Sequence, residues 1–262
     1  MARTQTPLAV WFWAAYLVAS HTPGISAVQF QRQLGLSRYE TAFQILHKLR
    51  AGMVRPDQDQ IGGNLGEHVE ADETYVGGRT RGKGRGVHDM VLVAGAVEVK
   101  QPKHGVTLNK RRTGRYAGRI RLAVAQDRST ESLGGFIERV VKAGATIITD
   151  DWNGYAKLGE RGYCHTAVAE RGDMQVAETF LPIIHPVFSN LKTWLRGIRH
   201  GVSPQHLQAY LNEFTFRFNR RCYPFNNAFR SLLGIAGDVT VPTYAEVYAK
   251  KSQPPTGCRF GC

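Results

Sequence analysis

Cysteine is the first thing this chain has little of. Its 262 residues hold four, Cys164, Cys222, Cys258 and Cys262, with no C-x-x-C pair among them. That scatter argues against a disulfide framework and fits a reducing cytoplasm. Cys258 and Cys262 are too isolated to specify a zinc site, so zinc is not expected in this chain. Long apolar runs are also missing. The run "PLAVWFWAAYLVA" at 7–19 falls short of the about 20 residues that cross a bilayer. It lacks a small-residue cleavage pattern in a convincing place, so it reads as a buried helix and no membrane partner is expected. Acid is the third shortage, with 21 Asp and Glu against 34 Lys and Arg, a formal charge of +13. An excess of that size points to a polyanion held by phosphate neutralisation, with nucleic acid ahead of anionic lipid.

The 42% hydrophobic content suffices for one sizeable core and a small accessory domain. Residues 1–55 read as that accessory unit, helical throughout. After the 8–19 helix, Ser26 with Gln29 and Ser37 with Glu40 each match the S-x-x-E/Q capping box that opens a helix. Gly35 separates the two helices so marked. Phe43, Leu46 and Leu49 stripe the second, with His47, Lys48 and Arg50 expected to turn elsewhere. The three helices resemble a helix-turn-helix, which either grips DNA or simply supports the core. Residues 56–67, with Pro56, Gly62, Gly63 and Gly66, read as a linker.

The few acids are unevenly placed. "VEADETYVGG" (69–78) has strand-like apolar residues yet crowds Glu70, Asp72 and Glu73 into four positions, and "TIITDDWNGY" (146–155) repeats the theme with Asp150 and Asp151. Strand patterns fit 68–76, 91–99, 119–126 and 145–150, with a helix at 130–143 striped by Leu133, Phe136, Ile137, Val140 and Val141. Three strands in a meander, a crossover helix and a fourth strand place the first and fourth strands side by side and parallel. Asp72 and Asp150 then face each other near the strand ends. Such carboxylates repel unless a divalent cation lies between them. Glu73 and Asp151 are expected to point to the other side of their strands. Trp152 and Tyr155 read as packing beside the site, with base stacking the alternative for both.

Two basic loops interrupt the strands. "GGRTRGKGRG" (77–86) imitates a P-loop, but Gly84 stands where Ser or Thr should be and no helix follows, so a nucleotide cradle is not expected. Arg79, Arg81, Lys83 and Arg85 suit a DNA backbone or a solvated hairpin tip, and Lys110, Arg111 and Arg112 form a second such tip. Towards the end, Ser203 and Pro204 open a helix striped by Leu207, Leu211, Phe214 and Phe218. Arg217, Arg220 and Arg221 near its end favour the helix dipole and are candidates for phosphate contact.

"VEADETYVGG", "TDDWNGY" and "SNLKTWLRGIRHGVSPQHLQAYLNEFTFRFNRR", in that order, resemble the DDE-type insertion-sequence transposases, in particular the ISXO-like group. The resemblance covers roughly residues 8 to 222. It implies an α/β, ribonuclease-H-like mixed sheet flanked by helices over 68–222, with 223–262 left as a tail. It also implies magnesium-dependent cutting of element ends and strand transfer into target DNA, with manganese as substitute metal. Carried over by position, Asp72 and Asp150 are metal ligands, Asn190 is the third, and Lys192 or Arg196 is a basic helper. Glu213 is a weaker candidate for the third place. The implied partner is double-stranded DNA, bound by a homo-oligomer on paired ends in a bacterial, nucleoid-associated setting. The zinc ribbon usual in the group has no counterpart before Trp11. Two alternatives follow: a truncated remnant that binds DNA without chemistry, and a nuclease that cleaves without joining.

Overall fold

The computed structural model describes residues 4–21, 24–54, 59–64, 66–77, 90–101, 114–169, 180–199, 202–238 and 247. Both basic tips, Arg79 to Arg85 and Lys110 to Arg112, lie outside them, as do Cys258 and Cys262. The chain forms two compact units, Asp59–Lys192 and Met1–Gln58 together with Thr193–Cys262. Compactness therefore divides the chain differently from the expected 68–222 segment, grouping the helices after Thr193 with the N-terminal ones. Among the described residues no helix is long and apolar enough to cross a membrane.

The first unit is an α/β sheet of five strands: β1 His68–Val76, β2 Val91–Lys100, β3 Tyr116–Val124, β4 Thr146–Asp150 and β5 Cys164–Val168. Their order is β3-β2-β1-β4-β5. The β1–β2 and β2–β3 pairs are antiparallel, while β1–β4 and β4–β5 are parallel. This mixed sheet flanked by helices is the ribonuclease-H-like arrangement that the resemblance implies. The meander and the parallel β1–β4 pair stand as expected; β5 adds an edge strand that the sequence did not announce. "CHTAV" is exposed at three of its five positions and has no apolar alternation to betray it.

Burial explains the sequence of each strand. β2, flanked on both sides by strands, is buried from Leu92 to Val99 and reads as one apolar run. On one face of the sheet, Val69, Ala71, Ala94, Ala96 and Ile147 pack against Leu133, Phe136 and Ile137 of helix α4, Thr130–Val140. The Ser129 hydroxyl caps α4 by accepting from the Ser132 amide. The helix stops at Val140, short of the expected 143, because Val141 turns extended and bridges to Ile61. On the same face Glu98 is fully buried. Burial alone would raise its pKa, but donors from Arg119 and the Gly62 amide overcome this and hold it at about 2.

The second unit is helical: α1 Leu8–Ser20, α2 Ala27–Gln33 and α3 Tyr39–Ala51 from the N-terminal side, then α6 Leu207–Asn219 and α7 Phe225–Asp238. Helix α5, Ile184–Arg199, begins in the sheet unit and ends in this one. Trp11, Ala14, Val18, Phe30, Leu46 and Leu49 share a core with Phe216, Leu232 and Ile235. The apolar α1 is only half buried, with Phe12 49% and Trp13 61% exposed. Helix α7 occupies what the sequence left as a tail.

Three local expectations change here. Ser26 caps α2 through the Gln29 amide as expected, but α3 enters from Arg38 with no side-chain cap, so Ser37 does not serve. Pro204–His206 form one tight turn before the helix proper begins at Leu207. Arg50, expected only to turn away from the apolar stripe, is itself 1% exposed and donates to Glu213 Oε2 at 2.8 Å. Arg217 meets the other oxygen through Nε at 3.1 Å and Nη2 at 3.0 Å. Its remaining donors close the end of α1, reaching the Val18 and His21 carbonyls. The buried Arg50 cation is paired through Nε alone; its two terminal nitrogens have no hydrogen-bond partner among the described residues, and the guanidinium lies 4.5 Å from the Tyr210 ring centroid.

Candidate metal centre

Strand β1 presents its acids to both faces of the sheet. Glu70 and Asp72 alternate onto the face opposite α4. Glu70, 0% exposed, accepts from the Ile183 and Ile184 amides at 2.9 and 2.8 Å. These are unpaired donors at the start of α5, so a carboxylate 113 residues upstream caps this helix. Burial pushes the Glu70 pKa up to about 7, against the pull of those amides and of the His185 and Arg115 charges. Gly95, opposite Asp72 in the ladder, completes the fit. A Cβ there would stand 2.7 Å from the Phe188 ring, so only glycine lets α5 lie this close beside Asp72.

The β1–β4 ladder pairs Val69 with Ile147 and Glu70 with Ile148. Continuing it by two residues brings Asp72 opposite Asp150, the juxtaposition expected from the strand order. Glu73 joins them. The sequence alternation assigned Glu73 to the far side and to no role; its side chain does lie on the α4 side, with Arg128 and Tyr155, but its carboxylate still comes close to the other two acids. Ligand oxygens of Asp72, Glu73 and Asp150 all lie within 4.8 Å of one another.

Each acid has partners that fix it. Asp72 Oδ1 accepts from the Glu73 amide at 2.7 Å, and Oδ2 lies 3.3 Å from His185 Nε2. Glu73, its side chain 3% exposed, accepts from Arg128 Nε at 2.6 Å and from the Tyr155 hydroxyl at 2.8 Å. Asp150 Oδ1 accepts a long bond from the Trp152 amide at 3.4 Å. The motif after Asp150 thus builds the wall of the site, and Gly154 is part of it: a Cβ there would meet the Arg128 carbonyl at 2.7 Å. Burial pushes the Tyr155 pKa well above its ordinary value, and the charges of Glu73, Asp72 and Asp150 push the same way.

The other expected residues are dispersed. Asn190 is exposed on α5. Five residues past His185, it sits about 140° round the helix from the residue that touches Asp72. Lys192, seven residues past His185, returns to that stripe and is half-buried. Arg196 is exposed and belongs to the helical unit. Glu213 is corrected as a candidate ligand, because both its oxygens are engaged by Arg50 and Arg217. Arg217 directs its donors inward, whereas Arg220 and Arg221 lie over the Phe216 and Phe218 rings. Asp151 is exposed and stays out of the cluster.

Oxygen-only donors on a rigid sheet end fit a hard divalent cation, magnesium or manganese, better than a thiophilic one. No curated protein and no solved structure matches the chain. The sequence model of the ISXO2-like transposase domain, however, matches residues 64–219, which is more than half of the 262. That span holds β1, β4 and α5, the elements that build the acidic site. The chain belongs to the ISXO2-like transposase domain family.

Proposed function

We propose that the protein is a transposase that cuts DNA at the ends of an insertion sequence and joins the freed strand to target DNA. The observation that carries this reading is the convergence of Asp72, Glu73 and Asp150 at one sheet end within a transposase domain. Asp72 and Asp150 act as the metal ligands, and Asn190 is the third on the strength of its place in the motif alone, since it is exposed and lies round α5 from the residue that touches Asp72. Glu73, already bonded to Arg128 and Tyr155, holds the site's shape and contributes negative charge. His185 orients Asp72. When bound, a pair of divalent ions activates the attacking oxygen and stabilises the leaving one. In the first step the oxygen of water attacks phosphorus and the 3′ oxygen of the element end departs. That 3′-hydroxyl then attacks a target phosphate in line, and a target 3′ oxygen leaves. Lys192 or Arg196 neutralises charge developing on the phosphate. Binding two element ends calls for at least two copies of the chain.

The test is magnesium-dependent joining of a labelled element end, taken from the DNA flanking the coding region, to a plasmid. Joined product supports the reading. Cleavage without joining assigns a nuclease, and retention on DNA without chemistry assigns a binding remnant. Full joining by an Asp72→Ala variant overturns the site.

A further inference from the structure

Trp152 has no task in the reaction as written. It is 40% exposed although it stands two residues from Asp150. The ring is not loose. The Arg128 guanidinium lies 3.7 Å from its centroid on one face, and its Nε1 donates to the Arg128 carbonyl at 3.0 Å. Gly154 packs beside the ring edge, where a Cβ would come 2.9 Å from Trp152 Cδ1. The same guanidinium bonds Glu73. One arginine therefore lies between an acid of the candidate metal cluster and a fixed aromatic plate. Arg128 covers one face and the Nε1 edge is bonded, which leaves the other face of the indole as the side for stacking.

From this we infer that Trp152 is a stacking platform for a single unpaired DNA base next to the phosphate being cut. The inference rests on the transposase reading and adds a residue that selects the state of the DNA. An aromatic plane is matched by another plane, and every base has one. Inside a duplex both faces of a base are covered by its neighbours, so only a terminal or extruded base can present a free face. A ring already locked by an ion pair and a hydrogen bond loses little freedom when the base arrives. The Glu73–Arg128–Trp152 chain of contacts gives the base and the cluster a common support. Closing of the DNA on the acids and unpairing of the adjacent base are thus coupled through one guanidinium.

The experiment uses the full chain in EDTA, so that no cleavage occurs. Two duplexes of the same sequence are compared, one blunt and one with a single unpaired 2-aminopurine at its 3′ end. The wild type is expected to quench the 2-aminopurine and to prefer the overhang about tenfold, equal to about 1.4 kcal/mol. In Trp152→Leu, which keeps apolar bulk without a ring plane, the preference falls to about one and the quench disappears. Trp152→Phe retains most of both. Asp150→Ala keeps the quench while losing cleavage when magnesium is restored, which separates this inference from the catalytic one. Equal quenching by wild type and Trp152→Leu overturns the platform and leaves the transposase reading intact. Wild-type protein that binds neither duplex overturns both.

Discussion

Glu213, inside the helical unit, meets two arginines, whereas Asp72, Glu73 and Asp150, at the end of the sheet, meet one another. The first carboxylate is 1% exposed and is bonded by Arg50 and Arg217 on both oxygens. The second group brings three carboxylates within 4.8 Å, with Arg128 on one of them and His185 beside another. Both arrangements lie in a chain with a large surplus of base. An acid matched by guanidinium resists change, and losing both partners would leave a buried charge exposed to the full desolvation cost. Acids gathered on one another hold repulsion that a cation relieves. The difference separates a structural carboxylate from a functional one without reference to position in the sequence.

The largest effect expected from this contrast is on chemistry. Asp150→Ala lowers strand cleavage by roughly a thousandfold, about 4 kcal/mol of transition-state stabilisation. In the metal-free protein the same change leaves the thermal midpoint unchanged or raises it, because a repelling charge is gone. A melt in EDTA beside a cleavage assay checks both halves. An Asp150→Ala protein that unfolds would erase the distinction between the two regions.

Arg50→Ala is the mirror experiment. It leaves Glu213 with Arg217 alone, so the loss should be smaller than the about 3–5 kcal/mol of a fully unpaired buried charge. Denaturant unfolding should show that loss, and restoring a neutral partner with Glu213→Gln in the same protein should recover part of it. Unfolding free energy within about 0.5 kcal/mol of wild type would mean that the pair contributes nothing.

How much of this contrast was legible beforehand follows from the range of each signal. The β1–β4 juxtaposition came from strand order alone, because a meander followed by a crossover helix leaves few topologies. Asp72 and Asp150 were therefore readable. Glu73 was not, because alternation sends it to the α4 face, away from Asp72, and no local pattern says that Arg128 and Tyr155 hold its carboxylate there within reach of the other two acids. Glu70 as the cap of α5 and Glu213 as the partner of Arg50 act across 113 and 163 residues, and no local pattern carries such information. The Arg50 side chain reads from its own helix only as lying off the apolar stripe, because its partner is on another helix.

A further carboxylate sharpens the comparison through pH. Glu98, held at about 2 by Arg119 after burial is overcome, has a folded pKa depressed from its ordinary 4.5. Its contribution to stability is thus fully present above about pH 4.5 and is lost as pH falls towards about 2. Wild-type protein should keep its fold well into that window, and Arg119→Gln should begin to unfold at a higher pH. Acid titration followed by circular dichroism reads the shift. Coincident acid limbs would show that the Arg119 bonds do not set the titration of Glu98.

The smallest effect compares the two serine caps of the helical unit, which are alike in sequence and different in the fold. Ser26 accepts from the Gln29 amide at 3.2 Å, so Ser26→Ala removes a partner from an otherwise unpaired donor at the start of α2 and should cost about 1 kcal/mol. Ser37 precedes a helix whose entry residue is Arg38 and whose first turn takes no side-chain cap. Ser37→Ala should therefore change stability by less than about 0.5 kcal/mol, as for a surface substitution away from any specific contact. Parallel denaturant melts of the two variants decide the matter. Equal losses at both serines would mean that the S-x-x-E/Q pattern stabilises α3 in a way the observed geometry does not contain. The capping box would then be a stronger guide to this unit than its folded contacts.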